Sequence, residues 1–143
     1  MNLLSRLTFL ALLCSALNGA LAADARPKLV MLIAEPEYET EKTLPVFAAT
    51  HLVKDFRVVT ISGSAAAGDS TLAPIAELAD ADVLLVSVRR RTPPAAQLAA
   101  IRKHVAAGKP VVGIRTASHA FALGKNQALA AGNADWPAWD HEV

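Results

Sequence analysis

Lys28-Leu-Val-Met-Leu-Ile-Ala34 (KLVMLIA), followed at once by Glu35-Pro-Glu-Tyr-Glu-Thr-Glu41 (EPEYETE), decides the fold. An unbroken apolar run of this length, closed by a polar cluster, reads as a strand buried on both faces. The signature returns at Phe56–Ile61 (FRVVTI), Asp82–Val88 (DVLLVSV) and Pro110–Ile114 (PVVGI). Helical periods fill the intervals. Leu44, Phe47, Ala48 and Leu52 line one face of a first helix, in which Pro45 is tolerable only within the first turn. Leu72, Ile75 and Ala79 mark a short second helix between Thr71 and Asp80. The third has Thr92 as N-cap, Pro93 as first helical residue, Leu98, Ile101 and Val105 on one stripe, and Gly108 as its stop. Strand and helix in strict alternation predict an α/β fold: a doubly wound parallel sheet of four strands with helices on both faces.

Upstream of this pattern, Arg6 precedes an apolar run from Leu7 to Leu17, and Ala20 and Ala22 offer an A-x-A cleavage site. Residues 1–23 therefore read as a secretory signal peptide and 24–143 as one domain, placing the mature protein in the periplasm or outside the cell. The run is shorter than the roughly 20 residues of a membrane-spanning helix, so no stable membrane insertion is expected after cleavage. Cys14, the only cysteine, leaves with the leader, so stability has to come from the core. Loss of Arg6 brings the 14 basic residues level with the 13 acidic ones, which argues against a nucleic-acid partner.

In a doubly wound sheet, ligands bind outside the carboxyl ends of the strands. Three charged segments fall there: Glu35 to Glu41, Arg89-Arg90-Arg91, and Arg115-Thr116-Ala117-Ser118-His119. Arginine is suited to bidentate contact with carboxylate or phosphate, and Glu35 or Glu37 can partner it; solvated loop charge is the alternative for any one of them. His119 is read as a polar site residue or general acid/base. Ser118 beside it suggests a nucleophile, but neighbours on a helix diverge by about 100° and do not easily meet side chain to side chain. His51 reads as a core-edge histidine and His104 as a surface one. Trp136 and Trp139 offer indole faces for stacking on a sugar ring, or else cover apolar surface. Asp140, His141 and Glu142 are consecutive, and no ligand pair has helical or hairpin spacing, so neither metal nor other cofactor is expected.

EPEYETEKTLP (35–45), LLVSVRRRTPP (84–94), GKPVVGIRTASHAF (108–121) and WPAWDHEV (136–143) together resemble the ThuA-like (trehalose utilisation) domain family, a branch of the class I glutamine amidotransferase-like superfamily. The resemblance spans nearly all of 24–143. It implies a flavodoxin-like, three-layer α/β/α sheet with its site at the strand ends, and a carbohydrate-derived ligand. Glutaminases of the superfamily present a cysteine two residues beyond a glycine after a strand; counted from Gly113, this chain has Arg115 there. An arginine is no acyl-accepting nucleophile, so amidotransferase activity is not expected. Family members usually continue past the segment resembling DHEV, so the domain is expected to be C-terminally incomplete.

The expected function is thus an exported domain that acts on or binds a sugar-like small molecule, with a homo-oligomer possible on an open sheet edge. Glu35, Glu37, Arg115 and His119 are the candidate catalytic residues. Tyr38, Arg89, Arg90, Arg91, Thr116, Ser118 and Trp136 are the candidate ligand contacts. A non-catalytic recognition domain and an inactive fragment are the alternatives.

Overall fold

A computed structural model describes residues 24–143; the expected signal peptide, 1–23, lies outside the described residues. The sheet comprises β1 (Lys28–Ala34), β2 (Arg57–Gly63), β3 (Leu72–Ala73), β4 (Val83–Val88) and β5 (Val111–Gly113), in the order β3-β2-β1-β4-β5. The β1–β2, β1–β4 and β4–β5 pairs are parallel, and β3 is antiparallel to β2. β1 is buried along its whole length because it is central: Val30 lies between Val59 and Leu84, and Leu32 between Ile61 and Val86. The molecule is a flavodoxin-like α/β fold.

Alternation along β1 divides the core between two faces. Leu29, Met31 and Ile33 pack under α1 (Thr40–Phe47) and the widened turn Ala48–Leu52 that continues it, with Leu44, Ala48 and Leu52 facing the sheet. Val30, Leu32 and Ala34 share the other face with Leu98 and Ile101 of α2 (Ala95–Ala106). Phe121, Trp136 and Trp139 complete that layer, Trp139 from the short α3 (Trp139–Glu142). Each aliphatic side chain fully buried there stabilises the fold by about 1.5–3 kcal/mol relative to exposure.

Several elements depart from expectation for local reasons. The second helix does not form: Pro74 has no N–H and interrupts the segment, leaving the two-residue β3 and a 3₁₀ turn over Ile75–Leu78. The sheet thereby gains a fifth strand. Pro45 lies inside α1, not in its first turn, and removes one ladder bond; the chain then widens until Val53 N–H reaches Ala48 O at 3.1 Å. Phe47 is rotated out of the core to 48% exposure, and His51, also exposed, stacks on it with ring centroids 5.0 Å apart. α2 begins at Ala95, with Pro94 and not Thr92 as its cap, because two successive prolines hold the entry extended. His104 is buried, not on the surface, since it follows Ile101 by three residues on the inward stripe of α2.

The amino end of the sheet holds a buried cation. Lys28 Nζ donates to Glu77 Oε2 at 2.8 Å and to Asp80, while its backbone N–H donates to Asp82 Oδ2 at 2.7 Å. Burial works against the ammonium charge, and the hydrogen bonds to Asp80 and Glu77 outweigh it, raising the pKa. This cluster anchors β1 at the end away from the charged strand termini.

Candidate functional site

The chain runs from β1 outward to β2 and returns to the opposite side of β1 at β4, so the topological switch point lies between the carboxyl ends of β1 and β4. Arg89 N–H donates to Ala34 O there at 3.3 Å. Glu35 follows Ala34 with only 3% exposure, and its two oxygens accept the backbone N–H groups of Glu37 at 2.6 Å and Tyr38 at 3.1 Å. The carboxylate thus shapes the loop from which Tyr38 projects. Glu39 closes that loop with φ of 52°, and Thr40, at the start of α1, is tied to β4 by a buried Ser87 Oγ to Thr40 Oγ1 hydrogen bond of 3.0 Å.

The 35–39 loop is latched on two sides. Glu37 pairs with Arg89 at 2.9 Å, and the Arg115 guanidinium lies over the Tyr38 ring, 4.5 Å from its centroid. Arg115 has φ of 56°, in the left-handed region that costs a side chain roughly 1–2 kcal/mol, and it opens the 3₁₀ turn Arg115–His119. Arg90, with φ of 47°, is the third such residue on this edge; its N–H donates to His119 O at 3.1 Å and its guanidinium to Leu123 O at 3.1 Å. Thr116 Oγ1 donates to Val88 O at 3.3 Å, fixing the turn to β4.

Ser118 Oγ and His119 Nδ1 lie 3.2 Å apart, contrary to the divergence expected of neighbours. Nδ1 is the ring nitrogen nearest the main chain, so a short hydroxyl reaches it without the side chains running parallel. Burial first, then the Arg90 and Arg89 charges, lower the His119 pKa, while Glu37 and Asp140 act in the opposite sense. The imidazole is neutral at pH 7 and able to accept a proton.

Two depressions border these residues, one beside the 35–39 loop and one beside Arg115. The larger, about 550 Å³, is bounded by Glu35, Glu41, the 62–70 segment and Arg89 to Arg91. The smaller, about 280 Å³, is lined by Arg115, Ser118, Trp139 and Asp140 beside β5. Glu35, Glu37, Tyr38, Arg89, Arg90, Arg115, Thr116, Ser118 and His119 therefore share one edge of the sheet. Two of the expected contacts behave differently. Arg91 turns away from the switch point: its Nη2 donates to Ser64 O at 2.6 Å and Asp69 O at 2.9 Å, and its Nε to Ser70 O at 3.2 Å. Desolvation lowers its pKa, opposed by Asp69. Trp136 is buried, with Trp139 edge-on at 5.2 Å, the Arg102 guanidinium 4.0 Å over its ring and Nε1 donating to Glu142 at 2.6 Å. It has no open face for a sugar ring.

Sequence reasoning missed the buried Ser87–Thr40 pair and the place of Asp140 in the smaller depression. A hydroxyl inside the apolar run of β4 was the available signal for the first; nothing local signalled the second. Among the described residues no group of three or more His, Cys, Asp or Glu side chains is arranged to hold a metal ion. Comparison with protein-family models, with curated proteins and with solved structures gave no match.

Proposed function

We propose that this chain is an exported domain of ThuA-like type that binds a carbohydrate-derived small molecule at the carboxyl edge of its sheet. Arg115 carries the reading. It is held in a left-handed conformation at the end of β5, its guanidinium is stacked on Tyr38, and it pairs with no carboxylate among the described residues. A strained, cationic side chain at a strand end is suited to receiving a hydroxyl pair, a carboxylate or a developing oxyanion. Amidotransferase chemistry is outside this reading, because a guanidinium cannot take up an acyl group. Catalysis on the bound ligand would fall to His119 as proton acceptor, with Ser118 hydrogen-bonded to it.

A recognition domain without turnover is favoured by a separate observation: both early glutamates are engaged, Glu35 with loop N–H groups and Glu37 with Arg89, so neither is a free base. Calorimetric titration of the purified protein with trehalose, glucose and gluconate, with chromatography of the mixtures, distinguishes binding from turnover. Saturable binding abolished by both Arg115→Ala and Arg115→Gly is expected, glycine being the control that accepts the left-handed backbone. Binding unchanged in both variants, or none with any of the three sugars, overturns the proposal.

A further inference from the structure

A third cleft, about 310 Å³, opens at the amino end of the sheet, between the 3₁₀ turn Ile75–Leu78 and the C-terminal half of α2. Ile75, Leu78, Ala79, Ala100 and Ala107 give it apolar walls. That volume is at the lower end of the roughly 300–1,000 Å³ typical of small-molecule sites. His104 closes the inner side; its Nε2 lies 3.3 Å from Pro110 O. Burial, with Lys109 acting in the same direction, lowers the His104 pKa, so the ring adds no charge at pH 7.

The charges lining the cleft are therefore Lys103 and Lys109. Lys109 Nζ donates to Ala81 O at 2.5 Å and keeps two further donors, and neither lysine is paired with a carboxylate among the described residues. The acids of the adjoining turn, Glu77 and Asp80, are both taken by Lys28. Two ammonium groups outweigh the roughly half negative charge at the end of a helix. An apolar cleft with a cationic rim is complementary to an apolar body carrying an anionic head. We propose that it binds a small apolar carboxylic acid, with the hydrocarbon against the alanines and the carboxylate at Lys103 and Lys109. The proposal is independent of the carboxyl-edge function.

Octanoate is the probe, titrated into the purified protein by calorimetry, with octan-1-ol and phosphatidylglycerol vesicles as separate arms. Octanoate should bind saturably, the binding should disappear in Ala79→Leu, which fills the cleft, and Lys103→Gln should weaken it about fivefold. Arg115→Ala should leave it unchanged. Ala107→Leu, at the exposed end of α2, serves if Ala79→Leu does not fold. Absence of saturation, octan-1-ol binding as tightly as octanoate, retention of octanoate by a folded cleft-filled variant, or binding to vesicles in place of octanoate each overturns the proposal.

Discussion

Truncating Arg91 tests whether a single guanidinium holds the loop beside the larger depression. Arg91→Ala removes three hydrogen bonds, to Ser64 O, Asp69 O and Ser70 O. Those carbonyls belong to half-buried residues that water can reach, so the loss is nearer the ordinary net value of about 1 kcal/mol per bond than the larger cost of an orphaned polar group. The total is about 2–3 kcal/mol. For a domain of this size that lowers Tm by about 8–12 °C, within a total stability of about 5–15 kcal/mol. A coupled partner sharpens the test. A Cβ at Gly63 would lie 2.6 Å from the Arg91 Cζ and 2.7 Å from the Ala34 Cβ, so Gly63→Ala has to displace the same guanidinium. The double variant should then cost at least about 1 kcal/mol less than the two singles combined. Thermal and urea melts read by circular dichroism measure all three, the first giving Tm and the second the free energies of the cycle. A Tm drop below about 2 °C for Arg91→Ala, or strict additivity in the cycle, refutes the clamp.

Two further perturbations probe other groups. The pKa values of His104 and His119 are lowered in the folded chain, so below about pH 6.5 the unfolded state binds protons that the folded state does not, and stability falls as pH falls through that value. His104→Gln should flatten the fall in urea midpoint between pH 7.5 and pH 5, and an unaltered slope would show that His104 does not contribute. Glu35→Gln presents an amide N–H₂ to one of the backbone donors now facing Glu35, at Glu37 or Tyr38, and should cost about 1–3 kcal/mol while speeding hydrogen exchange at those two amides. Wild-type exchange there would mean the carboxylate does not order the loop.

The central strands and the carboxyl-edge placement of the charged segments were legible in the sequence because continuous apolar runs and their polar ends are local signals. KLVMLIA is buried along its whole length, as its composition requires. In DVLLVSV, Asp82 is exposed and Val83 and Leu85 are half-buried, and Val112 of β5 is exposed because that strand is at the sheet edge, so burial on both faces holds only for the central strand. Around Pro74 the apolar spacing is helical, but the missing N–H prevails and leaves a two-residue strand and a 3₁₀ turn. At the site, sequence order brought Glu35, Arg89 and Arg115 to one edge but left their partners open. Pairing is a tertiary matter: which arginine meets Glu37, and which turns to the 64–70 loop, depends on side-chain direction at consecutive positions after β4. Trp136 illustrates the same limit, since its burial arises from Trp139 and Arg102.

Glu39, Arg90 and Arg115 all have positive φ, and all three border the same sheet edge. Each is a position where glycine would relieve roughly 1 kcal/mol of backbone strain. A library screened only for thermal tolerance should therefore enrich glycine at all three. The same library screened for ligand capture should purge it wherever the side chain contacts the ligand. Opposite enrichment at one codon would separate a position maintained by selection for binding from one that has merely drifted.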